Sequence, residues 1–151
     1  MARTINGVDE LRALVGQQLG TSDWMEITQD RVNTFAEATG DHQWIHVDPE
    51  RAKSGPFGTT IAHGYLTMSL GPVLLPQVMT VTGFSMALNY GLNKLRFPTP
   101  VPVGSKLRLS AELADVEDVA GGVQITVRLT FEVDGVDKPA CVAEALYRYL
   151  T

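Results

Sequence analysis

Residues 64–79 read GYLTMSLGPVLLPQVM, a stretch whose apolar side chains would occur on nearly every side of a helix. A helix of this kind is buried all round, so we predict a central helix enclosed by the other elements of the fold. Gly71, Pro72 and Pro76 lie inside it, and an interior proline removes a backbone hydrogen bond and clashes with the preceding turn. The helix is therefore predicted to kink or to end early.

The chain after this stretch alternates apolar and polar residues, which is the pattern of strands with one buried face. Two such runs, 107–113 and 123–133, flank the Gly121-Gly122 pair and predict a long antiparallel hairpin. Further strands are predicted over 86–97 and 140–150. An antiparallel sheet around one buried helix belongs to the α+β class.

Two shorter helices are predicted before the apolar stretch. In the first, apolar residues recur at helical spacing, at Val8, Leu11, Leu14 and Val15. In the second, Thr28 is the capping residue, and Asp30 lies in the first turn, where a carboxylate is favourable. Gly40 ends this helix, since glycine readily adopts the left-handed conformation of a helix C-terminus.

The composition is that of a globular protein, with 44% hydrophobic and 19% charged residues. A chain of 151 residues fits one domain, so we assign residues 1–151 to a single domain. The net charge of −5 gives no basic surface for nucleic acid or an anionic membrane, and no apolar run is long enough to span a bilayer. Cys141 is the only cysteine, which excludes an internal disulfide and favours a cytoplasmic location.

Residues 40–64, GDHQWIHVDPERAKSGPFGTTIAHG, contain all three histidines of the chain. Asp41 and His46 are five residues apart, which on a helix would set them about 140° from each other. They can converge only on a loop, and Gly40 before them and Pro49 after them favour one. A carboxylate beside an imidazole suits proton transfer near neutral pH, so the two residues are a candidate catalytic pair.

Three motifs in this segment resemble the signature of MaoC-like and R-specific enoyl-CoA hydratases. They are Gly40-Asp41, Ile45-His46-Val47-Asp48-Pro49 and Ala62-His63-Gly64, in that order. A second match is residues 89–107, NYGLNKLRFPTPVPVGSKL, which are similar to the family's arginine-phenylalanine-proline strand and proline-valine-glycine turn. The resemblance implies a hot-dog fold, in which the antiparallel sheet wraps the central helix, and it implies a homodimer.

The resemblance also implies a reaction. Asp41 and His46 match the catalytic pair, which would hold one water and deliver its hydroxyl to C3 and a proton to C2 of a trans-2-enoyl thioester, giving an R-3-hydroxyacyl product. The backbone amide of Gly64 matches the donor to the thioester oxygen, a role that suits the unpaired first amides of a helix. His63 is expected to pack and hydrogen-bond near this turn rather than to take part in chemistry.

Substrate binding is assigned to further residues. Trp44 stands where the family usually has proline, and we expect it to shape the pocket or its rim. The substrate is an acyl-CoA-type thioester, carried by coenzyme A or an acyl carrier protein, and four basic residues are candidates for binding the carrier's phosphates: Arg51, Lys53, Lys94 and Arg96. No cofactor is expected, and no metal, because the sequence has no histidine and cysteine cluster at ligand spacing.

Two other functions are compatible with the fold. Hot-dog proteins include acyl-CoA thioesterases, whose carboxylate activates water toward the carbonyl carbon, so the fold alone does not decide the reaction. A catalytically inactive acyl-thioester-binding protein would keep the fold without the chemistry. The Asp41/His46 pair, together with the alanine-histidine-glycine motif, favours a hydro-lyase of fatty acid metabolism, an enoyl-CoA hydratase or 3-hydroxyacyl-thioester dehydratase.

Overall fold

The computed structural model describes residues 2–151, and its longest elements are strands in the second half of the chain. The strands are β1 (Arg3–Asn6), β2 (Gln18–Thr21), β3 (Met25–Glu26), β4 (Met79–Thr82), β5 (Met86–Arg96), β6 (Lys106–Val119), β7 (Gly122–Val133) and β8 (Cys141–Leu150). The helices are α1 (Gly7–Ala13), α2 (Gln29–Thr39), α3 (Trp44–Val47), α4 (Pro49–Ala52), α5 (Gly64–Ser69) and α6 (Gly71–Leu74), with a 3₁₀ turn at Leu75–Gln77.

The main sheet is antiparallel, with the strand order β2, β6, β7, β8, β5 and with β3 also paired to β6. The predicted hairpin is confirmed as β6 and β7. Leu109 and Phe131 are partners across it, and both are fully buried, so the predicted alternation places its apolar side in the core. The predicted strands over 86–97 and 140–150 are confirmed as β5 and β8, which pair at the far edge of the sheet.

Four short strands were not predicted. β1 and β4 form a separate parallel pair, which joins the start of the chain to the segment after the central helix. β2 and β3 extend the main sheet beyond β6. Each of these strands has four residues or fewer, which is too short for an alternating pattern to be recognised in the sequence.

The central helix is broken, as its glycine and prolines predict. α5 ends at Ser69, α6 begins at Gly71, and Pro76 lies in the 3₁₀ turn that follows. Pro72 therefore lies in the first turn of a new helix, where its missing N–H removes no intrahelical hydrogen bond. The buried side of these segments carries Leu66, Leu70 and Leu74.

The prediction that this stretch is buried on every side is wrong. Tyr65 is 70% exposed and Val73 is 48% exposed. Tyr65 borders a cavity next to β5 instead of packing in the core. The apolar residues on this side of the helix thus face an open cleft, which an apolar sequence pattern does not distinguish from a core.

Both predicted N-terminal helices form, although α1 ends at Ala13 and leaves Leu14 and Val15 outside it. The second helix, α2, sets the position of the chain that follows. The Oγ1 atom of Thr28 accepts a hydrogen bond from the Arg31 amide at 3.1 Å, which caps α2. At the other end, Gly40 has a φ of +83°, and its amide donates to the Ala36 carbonyl at 2.8 Å. The candidate pair begins directly after this helix terminus.

One hydrophobic core lies between the sheet and the central helix segments. Many of its largest buried side chains come from the inner faces of β6 and β7: Leu107, Leu109, Leu113, Ile125, Leu129 and Phe131. The predicted α+β class, with an antiparallel sheet around a central helix, is confirmed. Within residues 2–151, no helix has the length and apolar character needed to cross a membrane.

Candidate active site

Asp41 and His46 reach the same region from different local structures. Asp41 is exposed and lies in the short loop after Gly40, whereas His46 is buried and lies in α3. The prediction of a loop throughout this segment is wrong at His46, because residues 44–47 form one turn of helix. That turn does not include Asp41. The separation of about 140° that one continuous helix would impose on Asp41 and His46 therefore does not apply.

Two contacts fix the orientation of His46. Its Nδ1 lies 2.7 Å from the carbonyl oxygen of Ile61, and because a carbonyl only accepts, Nδ1–H is the donor and the neutral ring has its lone pair on Nε2. The His46 carbonyl accepts a hydrogen bond from Gln29 Nε2 at 2.8 Å, and Gln29 Oε1 accepts one from Thr60 Oγ1 at 2.6 Å. The first residue of α2 thereby holds the turn that carries His46.

His63 contacts both members of the candidate pair. Its ring stacks on that of His46, with centroids 3.9 Å apart and planes inclined by 23°. Its Nε2–H donates to the backbone carbonyl of Asp41 at 2.9 Å. Burial lowers the pKa of His63, and the neighbouring His46 also acts in this direction, so the imidazole is neutral at neutral pH. The expectation that His63 packs and hydrogen-bonds at this turn is confirmed.

Asp41, His46 and His63 therefore converge in three dimensions. Each offers one ligand-type atom, and these atoms lie within 4.8 Å of one another. One water can span such a separation with two hydrogen bonds of ordinary length. The same three residues are also the donor set that could hold a metal ion, a cluster that sequence spacing does not reveal because the fold brings its members together.

A cavity of about 270 Å³ lies beside this cluster. Its wall includes His46, Gly64, Thr67 and Phe97. Gly64 is the first residue of α5, so its amide has no acceptor within the helix. The cavity suits the reacting end of a thioester rather than a whole carrier molecule.

A second cavity, of about 470 Å³, lies along α5 next to β5, where it is bordered by Tyr65 and Leu92. The rings of Tyr65 and Phe97 meet edge to face, with centroids 6.1 Å apart. Phe97 borders the cavity of His46 and Tyr65 borders the second cavity. This aromatic pair therefore stands where the two cavities approach each other.

The other predicted binding residues lie outside the wall of the His46 cavity. The Arg51 guanidinium lies 4.3 Å over the Trp44 ring, which is a cation–π arrangement. Trp44 in turn packs on Gly55, where an added methyl group would be 3.0 Å from the ring. Lys53 is exposed and pairs with Glu50 at 3.0 Å. Trp44 and Arg51 thus form one stacked unit across α3 and α4.

Lys94 and Arg96 lie two residues apart on β5 and border a third cavity, of about 350 Å³, together with Arg128 and Glu144. Lys94 Nζ is 3.8 Å from the Glu144 carboxylate. Arg96 Nη1–H donates to the carbonyl of the neighbouring Leu95. The wall of this cavity has three cations and one carboxylate and is therefore net positive. It shares no residue with the wall of the His46 cavity.

The fold and the convergent side chains define the class of protein: a hot-dog protein with a carboxylate and an imidazole close together next to the start of its central helix. Residues 10–134 match the MaoC like domain. This match covers most of the chain, so the chain belongs to the MaoC-like dehydratase domain family, and the family predicted from the motifs is confirmed.

Individual relatives agree with this assignment. The chain is 60% identical over 149 residues to 3-hydroxyacyl-thioester dehydratase Z of Mycobacterium tuberculosis, covering 98% of this chain and 99% of that protein. It is 34% identical to 3-hydroxybutyryl-CoA dehydratase of Methylorubrum extorquens, covering 71% of this chain and 68% of that protein. The solved structure of an (R)-hydratase from A. caviae matches with a TM-score of 0.74 at 26% identity, covering 89% of this chain and 96% of that one. The predicted hot-dog fold is confirmed.

Proposed function

We propose that this chain is a hydratase/dehydratase that interconverts trans-2-enoyl thioesters and R-3-hydroxyacyl thioesters in fatty acid metabolism. The observation that carries the proposal is the convergence of Asp41 and His46 within reach of one water, beside a cavity that Gly64 borders. The name of the 60% identical relative, 3-hydroxyacyl-thioester dehydratase Z, supports the same reaction class.

In the hydration direction, Asp41 and His46 hold one water against C3 of the enoyl thioester. The water oxygen forms a bond to C3 as one of its O–H bonds breaks, and C2 receives a proton. The pair relays this proton, so neither side chain has a changed charge after a full cycle. Because two groups that share a water titrate together, the proton transfers belong to the pair as a unit. Dehydration is the same sequence in reverse.

The thioester oxygen needs stabilisation in this reaction. As the nucleophile adds at C3, the double-bond electrons move toward the carbonyl, and negative charge develops on its oxygen. We assign the Gly64 amide as the donor to this oxygen, since a fixed N–H directed at developing charge favours the transition state. The reaction involves no oxidation or reduction between molecules. We therefore propose that it needs no cofactor beyond the carrier of the thioester.

Two basic regions are available for the phosphates of the carrier. The cavity of Lys94 and Arg96 also contains Arg128. Lys94 pairs with Glu144 and Arg128 pairs with Glu112, and the positive charge that remains suits a phosphate group. Arg51 is held over Trp44, which restricts its guanidinium before any ligand binds. We propose Lys94 and Arg96 as the stronger candidates, because both border one cavity together with a third cation, Arg128, whereas Lys53 is paired with Glu50 and Arg51 is stacked on Trp44.

The edge strand β5 supports a homodimer. All but one of its residues are exposed, although four of them are large and apolar. These are Met86, Leu88, Tyr90 and Leu92, each between 42% and 55% exposed. A long apolar sheet edge with unpaired backbone groups is usually covered by another element or another chain in a stable protein. We propose that the same strand of a second copy provides it, in the two-fold arrangement that most homodimers use.

We also propose a cytoplasmic location. Cys141 is the single cysteine of the chain and is buried as a free thiol. Reducing compartments are where proteins without disulfides are usual.

The test of the function is the fall in enoyl-thioester absorbance with crotonyl-CoA and with a longer trans-2-enoyl-CoA, followed by chiral analysis of the product. Wild type is compared with Asp41→Asn, His46→Gln and the control His42→Gln. Losing a positioned acid or base lowers the rate by about 10²- to 10⁴-fold. His42 lies between the two but is exposed and pairs only with Glu37 at 3.7 Å, so its variant keeps the wild-type rate.

The outcomes separate the three candidate functions. An R-3-hydroxyacyl product that disappears in the Asp41 and His46 variants, while both stay folded, supports the hydratase. Release of free thiol by wild type supports a thioesterase instead. A wild type that binds the thioesters without converting them supports an inactive binding protein.

A further inference from the structure

We infer that His63 is a positioning residue that aligns Asp41 and His46 on the shared water. The inference rests on the proposed hydratase function. It goes beyond that function because it assigns a role to His63, a side chain that contacts neither the substrate nor the water in the proposed reaction. Three sets of contacts carry it: a hydrogen bond to Asp41, a ring stack on His46, and packing that fixes His63 itself.

The first contact holds the carboxylate-bearing loop. Asp41 is exposed and follows the terminus of α2, so its backbone has little packing to restrain it. Its own carboxylate accepts only a long bond of 3.4 Å, from the Gln43 amide. The bond from His63 Nε2–H to the Asp41 carbonyl is shorter, at 2.9 Å, and comes from a side chain that is 3% exposed. A buried donor of this kind gives the exposed loop a fixed point of attachment.

The second contact holds the imidazole. His46 is already fixed at Nδ1 by Ile61, but a single hydrogen bond leaves the ring free to tilt about it. The face of the His63 ring, 3.9 Å away, limits that tilt. On another side, Phe35 of α2 packs against His63, with ring centroids 4.8 Å apart. His63 is therefore packed between Phe35 of α2 and the imidazole of His46, which it positions.

The charge of His63 fits this task. Of the groups around it, His46 and His42 disfavour the protonated form and Asp41 favours it. Its Nδ1 is buried and has no hydrogen-bond partner among the described residues, so a proton there would create an unpaired buried charge. A neutral ring can keep Nε2–H directed at Asp41 and can lie against His46 when that residue carries a proton. A second cation at this distance would oppose the proton transfer.

Two variants separate the contacts of His63. His63→Gln keeps a donor near the position of Nε2 and loses the ring stack. His63→Phe keeps a flat ring of similar size and loses the donor. His42→Gln is the matched control, because it removes the neighbouring exposed imidazole from the same loop. Thermal unfolding of each variant establishes that it is folded before its rates are compared.

For His63→Phe we expect a fall in kcat of about 10²-fold with little change in KM, since a displacement of about 1 Å in reacting groups has this effect. His63→Gln should stay within about tenfold of wild type, because the lost ring contact is the weaker of the two. In an Asp41→Asn background, His63→Phe should cause no further loss, since its effect passes through Asp41. Additive losses in that double variant would overturn the inference.

An activity-independent measurement keeps this test distinct from that of the proposed function. Backbone ¹⁵N order parameters of Asp41 and His42 report the mobility of the loop, about 0.85 for a rigid backbone and below about 0.6 for a flexible one. We expect rigid values in wild type and His63→Gln, and flexible values in His63→Phe. Unchanged order parameters in His63→Phe contradict the inference. A wild type that lacks hydratase activity contradicts the proposed function, and the order parameters then still decide the role of His63.

Discussion

The ring of Phe97 lies directly against the backbone of Gly64. A methyl group placed on Gly64 would be 2.8 Å from two carbons of that ring, a distance that real side-chain contacts do not reach. The residue that follows β5 and the residue that begins the central helix are therefore in contact at the wall of the His46 cavity. The shape of this cavity depends on a glycine at position 64.

Gly64→Ala is expected to impair catalysis more than folding. The Phe97 ring must move to admit the methyl group, and it can do so because it is 40% exposed. The moved ring alters the cavity next to the proposed oxygen donor, so we expect kcat/KM to fall by about tenfold or more while the melting temperature changes little. Adding Phe97→Leu in the same chain should restore part of the rate. No recovery in the double variant would show that the contact is not the cause.

Stability should fall below about pH 6.5 in a way that depends on His63. Burial lowers the pKa of the folded residue below its ordinary value of about 6.5. Between these two pKa values the unfolded chain binds a proton that the folded chain does not, so this stabilisation is present above about pH 6.5 and is lost as the pH falls toward the folded pKa. Urea unfolding from pH 8 to pH 5 should show a smaller loss for His63→Gln than for wild type.

The control for this pH dependence is His42→Gln. The His42 side chain is 50% exposed, so its removal should leave the wild-type dependence in place. If His63→Gln and wild type lose stability in parallel, the buried imidazole is not responsible for the acid sensitivity.

Cys141 should be unreactive in the folded protein. It is fully buried, and burial raises its pKa to about 12, so the nucleophilic thiolate is absent near neutral pH. With Ellman's reagent at pH 8, we expect no rapid release of colour from native protein and one reactive thiol per chain after unfolding in urea. Rapid reaction of the native chain would mean that the strand carrying Cys141 opens readily.

A lysine on the apolar edge strand should separate the proposed dimer. Leu88→Lys places a charge among the exposed apolar residues of β5, where two copies would bring like charges close together. We expect light scattering after gel filtration to give the mass of two chains for wild type and of one chain for the variant. Val15→Lys is the matched control, because Val15 has a similar exposure of 42% but lies away from β5. A Leu88→Lys protein that remains dimeric places the interface elsewhere.

The sequence predicted most of the fold because its long elements have local causes. The alternation in β6 and β7 and the Thr28 cap are determined by residues close together in the chain, and both appear where the pattern put them. The strands of four residues or fewer were missed because they form through pairing with distant segments. The exposure of Tyr65 was missed for a similar reason, since an apolar residue has the same pattern in a core and beside a cavity.

The residues of the candidate site could be predicted from the sequence, but the contacts that hold them in place could not. The motifs identified Asp41 and His46, but the helical turn around His46 depends on Gln29, whose side chain reaches the His46 carbonyl from a different helix. The two contacts of His63 could not be predicted either, because they are made to residues distant in the sequence. One is a hydrogen bond to Asp41, 22 positions earlier, and the other is a ring stack on His46. The Ala62-His63-Gly64 motif drew attention to His63 in the sequence, but it did not show which residues His63 contacts.

The residues of the proposed site and most of the contacts that hold them come from one continuous part of the chain, from Gln29 to Gly64. The sheet, in contrast, is built from β2, β3 and the strands after β4, and it contributes most of the largest fully buried side chains. Local segments can open without global unfolding when few long-range contacts secure them. Hydrogen bonds from the Ala62 amide to the Val101 carbonyl and from the Val103 amide to the Thr60 carbonyl join the end of this segment to the rest of the fold. We expect activity to be lost when these bonds break, at denaturant concentrations that still leave the sheet intact.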